Sequence, residues 1–179
     1  MKLVHSGVAH AEAAALPPAP EFAGVSMWLN SDGPVNLYRL YGKVVLIEFW
    51  TFGCINCVRT LPFMVEIDRR YRRRGLVVLG IHTPEFPYET RVRSVREALA
   101  DHGLRYKVGL DSSYASWNAY RVEFWPTLFV VNRQGAIAHR HIGEGGYGHT
   151  ERVIKRLLAE PAPPSLDAAA SSEPGPSAA

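Results

Sequence analysis

Continuous runs of apolar residues alternate along the chain with segments whose apolar residues recur at helical spacing. The three longest runs, which predict strands buried on both faces, are Val44–Trp50, Leu76–His82 and Thr127–Val131. Between the first two runs, residues 54–74 carry apolar positions at helical spacing and predict a helix that contains Pro62. A strand, a helix and a second strand in this order predict a parallel βαβ unit.

The alternation continues through the second half of the chain. The predicted elements are a helix over 89–102, a strand over 106–110, a helix over 114–120, a strand over 137–142 and a helix over 151–159. Residues 132–135, Asn-Arg-Gln-Gly, predict a tight turn between the third buried strand and the strand that follows it. This order of elements predicts an α/β fold with a central mixed sheet flanked by helices.

Both ends of the chain have the composition of disordered segments. Residues 1–20 are rich in Ala and Pro, and residues 161–179 are almost entirely Ala, Pro, Ser, Gly and Glu. Such segments bury too little apolar surface to offset the loss of chain entropy. We therefore predict one domain over residues 21–160. Polar residues interrupt the apolar stretch at 3–15, so a signal peptide is not predicted.

Charge adds little to this description. The formal net charge is +3, which is too small to imply a nucleic-acid partner. We separately expect the chain to be a monomer. Arginines cluster at positions 69, 70 and 72–74. We interpret the cluster as the solvated end of a helix that stops at Gly75, where cations favour the helix dipole. The alternative is a docking surface for an anionic partner.

Chemistry is predicted by the two cysteines of the chain, Cys54 and Cys57. Two cysteines at this spacing indicate either a redox pair or half of a metal site. Cys54 follows a core strand and opens a helix, where free backbone N–H groups and the helix dipole favour a thiolate. We therefore assign Cys54 as the nucleophile and Cys57, one helical turn later, as the resolving cysteine.

Two further residues support a redox pair. Glu48 lies in an otherwise apolar strand, and a buried carboxyl has a raised pKa that suits proton exchange with Cys57. Pro126 directly precedes the third core strand, in a position where a cis peptide bond is plausible.

A zinc site would need two more ligands, for which His139 and His141 are the candidates on one strand. No metal is predicted.

These residues together resemble the thioredoxin superfamily, in its TlpA-like branch, and within it the thioredoxin-like domain of DipZ-type proteins. The strings that carry the resemblance are Gly42-Lys43-Val44-Val45-Leu46, Cys54-Ile55-Asn56-Cys57, His82-Thr83-Pro84-Glu85-Phe86 and Trp125-Pro126-Thr127. The resemblance implies a thioredoxin fold with a strand–helix insertion over residues 89–120. It also implies a cis-proline at Pro126 beside the cysteines and a buried acid at Glu48.

The resemblance further implies a thiol–disulfide oxidoreductase that acts on protein disulfides or dithiols and needs no cofactor besides the cysteine pair. The residues expected to contact substrate are Trp50, Phe52, Trp125, Pro126 and Thr127. Electrons would come from a membrane thiol reductase. The family is often extracytoplasmic, whereas this chain shows no clear signal peptide, so both that location and the cytoplasm stay open.

Two other functions are compatible with the sequence. Thr51, Phe52, Gly53 and Cys54 resemble the Thr-x-x-Cys motif of peroxiredoxins, although Ile47 stands where those enzymes have a proline. The second is a copper or zinc carrier that uses both thiolates together with His82 or a neighbour, since soft thiolates suit Cu(I).

Overall fold

The computed structural model describes residues 16–164 and shows one mixed sheet with helices on both faces. The strands are β1 (Trp28–Leu29), β2 (Val44–Trp50), β3 (Leu76–His82), β4 (Lys107–Leu110), β5 (Thr127–Val131) and β6 (Ile137–Ile142). The helices are α1 (Ile55–Tyr71), α2 (Val92–Asp101), α3 (Ala115–Ala119) and α4 (Tyr147–Ala159). Short 3-10 helices span Tyr38–Leu40, Arg72–Arg74 and Pro87–Thr90. No helix among these residues is long and apolar enough to cross a membrane.

The strand order in the sheet is β1-β4-β3-β2-β5-β6. The strands β2, β3 and β4 are parallel to one another, and β1, β5 and β6 pair antiparallel with their neighbours. This arrangement confirms the predicted α/β fold with a mixed sheet. The predicted bounds of β2, β3 and β5 are also confirmed. The segment predicted as an insertion, residues 89–120, contains α2, β4 and α3, and the 3-10 helix Pro87–Thr90 spans its start.

The central strand β2 separates two cores because its side chains alternate between the faces of the sheet. Val44, Leu46 and Trp50 pack on one face with apolar residues of α1, α2 and α4. Ile47 and Phe49 pack on the other face with residues of α3 and β5. Glu48 follows the alternation of the first set, so its carboxyl lies in the apolar layer beneath α1.

The bounds of two predicted helices were wrong, and one strand was not predicted. The helix predicted over 89–102 is divided, because Glu89 ends up buried in a separate 3-10 helix and α2 starts at Val92. The last helix starts at Tyr147 rather than at 151, since its first turn is mostly polar and lacks the apolar pattern. The sequence pattern also did not reveal β1, which has only two residues.

The predicted start of the folded domain also needs correction. Residues 17–19 pair with the end of the β5–β6 hairpin: Ala19 N–H donates to Gly135 O at 2.9 Å, and Ile137 N–H donates to Pro17 O at 2.8 Å. Backbone pairing to a neighbouring turn orders this segment with little apolar burial beyond Ala19, so composition could not reveal it. The remaining predicted disorder, at 1–15 and 165–179, lies outside the described residues.

Arginines of the cluster form ion pairs and a cation–π contact with side chains of α1 and of the neighbouring α4. Arg69 and Arg70 bind Glu66, with N–O distances of 2.8 Å. Arg70 also reaches Glu151 at 2.8 Å, and the Arg74 guanidinium lies over the Tyr71 ring. These contacts agree with a solvated helix end, where ion pairs add little to the free energy of unfolding.

Candidate active site

The cysteine pair lies at the start of α1, just after the short loop that follows β2. Cys54 is the N-cap residue of α1, in an extended conformation, and its Sγ accepts a hydrogen bond from Cys57 N–H at 3.2 Å. Both thiols are free, but their exposure differs: Cys54 is partly exposed and Cys57 is buried. An incoming group can therefore reach Cys54 directly, whereas Cys57 is shielded behind it.

The Cys57 thiol is held in its protonated form. Burial raises the pKa of this thiol, and a hydrogen bond with the Cys54 sulfur raises it further. A negative charge on Glu48 acts in the same direction, which indicates that the two side chains are electrostatically close. Cys57 therefore needs a base before it can attack another sulfur.

The carboxyl of Glu48 is buried as the sequence predicts, and burial raises its pKa well above the usual range. Neither of its oxygens accepts a hydrogen bond. Glu48 pairs across the sheet with Gly80, and the neighbouring Trp50 Nε1 and Tyr106 hydroxyl are also buried without partners. A Cβ on Gly80 would come within 2.9 Å of Trp50 Nε1, so glycine leaves room for this group of polar atoms.

The predicted cis-proline lies at the same end of the sheet. The Trp125–Pro126 peptide bond is cis, in agreement with the expectation from the sequence. Thr127 pairs with Phe49, so Pro126 lies alongside the end of β2 from which the chain continues to Cys54. The Trp125 indole N–H donates to Thr83 O at 3.0 Å, which ties this loop to the segment after β3.

The structure corrects two of the expected substrate contacts. Trp50 and Thr127 have no exposed surface: the indole lies in the core beneath α1, and the Thr127 hydroxyl donates to Phe124 O at 2.7 Å. Their side chains support the site from inside rather than touching a substrate. Phe52 and Trp125 remain partly exposed, and the Pro126 side chain is buried.

The loop between β2 and Cys54 has polar supports that the sequence analysis considered only as part of a peroxidase motif or as a metal ligand. Thr51 and His82 are buried, and Thr51 Oγ1 lies 3.2 Å from His82 Nε2. The Phe52 ring stacks on the His82 ring with 5.6 Å between centroids. Burial lowers the pKa of His82 to about 4, so the imidazole is neutral near pH 7.

Glu89 also supports this loop, and sequence reasoning missed it as a site residue. Its side chain is buried and accepts a hydrogen bond from Gly53 N–H, 36 residues away and directly before Cys54. An acidic residue followed by an amphipathic pattern is typical of the exposed first turn of a helix. The motif His-Thr-Pro-Glu-Phe at 82–86 was the available signal that this segment belongs to the site.

The predicted metal candidates are not assembled around the cysteines. Within residues 16–164, no group of three or more His, Cys, Asp or Glu side chains is arranged to hold a metal ion. His139 and His141 lie together on β6 with 6.5 Å between ring centroids, and His139 Nε2 is 3.3 Å from Thr150 Oγ1.

A thioredoxin fold with a partly exposed cysteine at the start of α1 and a buried one a turn later defines the class of thiol–disulfide oxidoreductases. The chain belongs to the AhpC/TSA family, whose model matches residues 17–140. The sequence-based identification as a TlpA-like member of the thioredoxin superfamily is confirmed by the relatives described next.

Two relatives of known name are similar over most of this chain. DipZ of Mycobacterium tuberculosis is 40% identical over 147 residues, which is 81% of this chain and 21% of that protein. The thiol-disulfide oxidoreductase YkuV of Bacillus subtilis is 31% identical over 144 residues, which is 80% of this chain and 95% of that protein. The chain thus corresponds to about a fifth of DipZ and to nearly all of YkuV.

Solved structures agree with this placement. The crystal structure of a thioredoxin-like superfamily protein superposes with a TM-score of 0.77 at 27% identity, covering 83% of this chain and 100% of the other. The solution structure of a thioredoxin-like protein in the oxidized form gives a TM-score of 0.73 at 30% identity, covering 80% and 96%.

Proposed function

We propose that the chain exchanges disulfides with protein substrates through a two-cysteine cycle. The observation that carries this proposal is the difference in exposure between Cys54, which is partly open, and Cys57, which is buried behind it. Only the first sulfur can meet a substrate disulfide, and only the second is placed to release the substrate afterwards. The cycle needs one copy of the chain and no cofactor besides the cysteine pair.

In the reducing direction, the Cys54 thiolate attacks one sulfur of the substrate disulfide, and the other substrate sulfur leaves as a thiolate. This forms a mixed disulfide. Cys57 then loses its proton, attacks the Cys54 sulfur and expels the second substrate thiolate. The products are a reduced substrate and a Cys54–Cys57 disulfide, and the same steps reversed oxidise a dithiol.

Glu48 fits the role of proton acceptor for Cys57 in this cycle. Its raised pKa makes the carboxylate a stronger base than an exposed one, and its position beneath α1 places it near the buried thiol. The carboxyl holds the proton while the Cys54–Cys57 disulfide exists and returns it to Cys57 when the dithiol is restored. The step then proceeds inside the protein without exposing Cys57 to water.

The surface around Cys54 supports a protein substrate. Ile55 is 60% exposed next to the nucleophile, and Phe124 is 59% exposed beside Trp125 and Pro126. Ile142, which pairs with Thr127, is a further exposed apolar side chain on this rim. Exposed apolar side chains that surround a reactive group are typical of protein-binding surfaces.

The resemblance to DipZ-type domains supports a membrane thiol reductase as the electron donor.

Trapping tests the cycle. Cys57→Ser should accumulate mixed disulfides with proteins of a cell extract, which non-reducing electrophoresis displays as reducible bands. Cys54→Ser should trap nothing and lose turnover. The double variant Cys54→Ser/Cys57→Ser is the matched control. A Cys57→Ser variant that traps no more protein than the double variant contradicts the two-cysteine cycle.

A peroxidase is the second candidate, favoured by the family match and by the Thr51–Cys54 motif. The structure disfavours it because Thr51 is buried and lies within hydrogen-bond distance of His82 instead of facing the surface beside Cys54. Stopped-flow mixing with hydrogen peroxide discriminates the two functions. Rapid peroxide consumption that survives Cys57→Ser would indicate a peroxidase.

A further inference from the structure

Glu89 joins the inserted segment to the active-site loop. Its Oε1 accepts the Gly53 N–H at 3.0 Å, and its Oε2 accepts the N–H groups of Glu85 and Phe86 at 2.5 and 3.0 Å. The side chain has no exposed surface. Among residues 16–164, no Lys or Arg forms an ion pair with it. Three backbone donors thus converge on one buried acceptor group.

The contact requires a glycine immediately before the nucleophile. A Cβ on Gly53 would overlap Glu89 Oε1 and would lie 2.6 Å from the Tyr88 hydroxyl. The backbone of the loop therefore approaches the carboxyl more closely than any other residue type would allow. Glycine at position 53 and glutamate at position 89 form one structural unit, although they are 36 residues apart.

The position of this carboxyl has an electrostatic consequence for Cys54. The Glu89 carboxylate contacts Gly53, the residue directly before Cys54. Its negative charge opposes the formation of a thiolate on Cys54. The hydrogen bond also directs Gly53 N–H towards Glu89, where it is unavailable to the Cys54 sulfur. Both effects make the thiolate less favourable, and a couple whose reduced form is less stable is a stronger reductant.

We propose that Glu89 is a positioning residue that makes the Cys54–Cys57 couple more reducing by holding Gly53 N–H and placing a carboxylate beside the nucleophile. This inference rests on the proposed thiol–disulfide exchange and assigns the residue that tunes it. Glu89 acts through Gly53 and touches neither sulfur. The inserted segment thereby becomes part of the redox machinery.

Glu89→Gln tests the proposal, because it keeps the size of the side chain and removes the charge. We expect the equilibrium constant against glutathione to shift about tenfold towards the dithiol, which is a potential about 30 mV less negative. In the Cys57→Ser background, Glu89→Gln should also speed alkylation of Cys54 by iodoacetamide at pH 6. The control is Glu97→Gln, an exposed acid paired with Arg93 on α2, which should leave both values unchanged.

A purely structural role predicts a different result. Loss of support alone destabilises the dithiol and disulfide forms together, so the melting temperature would fall while the potential stayed constant, and that result overturns the proposal. If Glu89→Gln does not fold, Glu89→Asp serves, since it retains the charge but is too short to reach Gly53. It should shift the equilibrium constant about threefold in the same direction, and no shift overturns the proposal.

This experiment separates the inference from the proposed function. The potential is measured with glutathione alone and needs no protein substrate. If Cys57→Ser traps no proteins but the potential of the Cys54–Cys57 couple still depends on Glu89, the substrate class is contradicted and the inference is kept. If Cys57→Ser traps proteins while Glu89→Gln leaves the potential unchanged, the inference is contradicted and the substrate class is kept.

Discussion

Two glutamates with no exposed surface flank the active-site loop, and their surroundings are opposite. Glu48 lies in the apolar layer beneath α1, and neither of its oxygens has a hydrogen-bond partner. Glu89 lies between two loops and accepts three backbone N–H groups. Burial alone therefore does not define what an acid does. An unpartnered carboxyl favours its neutral form and can carry a proton, whereas one with several donors organises the backbone around it.

The largest effect that sharpens this comparison is expected from Glu89→Ala. The change leaves the N–H groups of Gly53, Glu85 and Phe86 without their acceptor, and hydrogen bonds to charged groups contribute about 1.5–3 kcal/mol each. We expect the free energy of unfolding to fall by about 4 kcal/mol, since water replaces part of the loss. Urea denaturation measures it. Glu97→Ala on the exposed face of α2 is the control, and equal losses in the two variants would contradict the structural role of Glu89.

Acidification tests the buried imidazole that lies against the same loop. Burial lowers the pKa of His82 to about 4 from an ordinary value of 6.5, although the charge of Glu89 opposes this. The unfolded chain therefore binds the proton first, and stability falls as the pH drops from 6.5 towards 4. The expected loss attributable to His82 is about 3 kcal/mol. Urea denaturation at pH 7 and pH 4 should show a smaller loss for His82→Gln than for the unaltered chain.

Glu48→Gln is expected to act in two opposite directions. The pKa of Glu48 is raised in the folded state because its carboxyl is buried, so the unfolded chain loses this proton first. The free energy of unfolding therefore falls as the pH rises from the ordinary pKa towards the folded-state value, and Glu48→Gln should remove that loss and be more stable than the unaltered chain at pH 8. The release of a mixed disulfide by Cys57 should slow about a hundredfold, as expected for loss of a general base. Urea denaturation and quenched-flow alkylation check the two parts. A variant that is less stable at pH 8 contradicts the assignment.

The smallest effect is expected at the hydroxyl of Tyr106, which is buried near Glu48 without a partner. Tyr106→Phe should raise the free energy of unfolding by about 1 kcal/mol, because the change removes an unsatisfied polar group. Tyr120→Phe is a matched control that should lower it by about 1 kcal/mol, since the Tyr120 hydroxyl donates to Pro20 O at 2.7 Å. Thermal denaturation of both variants checks the difference in sign.

The sequence predicted the parts of the site that depend on local pattern. The apolar runs of β2 and β3 were predictable to the residue, and with them the place of Cys54 at a strand-to-helix junction. The burial of Glu48 followed from its position in an apolar strand. In each case the signal lies within a few neighbouring residues, so one-dimensional periodicity contains it.

Contacts between distant segments were not predictable in this way. The bond from Gly53 to Glu89 joins residues that are 36 positions apart, and the pattern around Glu89 is that of an ordinary exposed helix start. The pairing of residues 17–19 with the β5–β6 hairpin is made by backbone groups that every sequence shares.

The pairing of residues 17–19 determines where the polypeptide joins the domain. Those residues meet Gly135 and Ile137, at the end of the sheet opposite Thr127 and the cysteines. The end of α4 lies at the same pole, where Arg133 binds the carbonyl oxygens of Leu157 and Leu158. Residues 17–19 and the end of α4 therefore both lie at the end of the sheet opposite Cys54. An affinity tag or a fused domain that is attached next to residues 17–19 or after α4 would lie away from Cys54 and would leave this sulfur accessible.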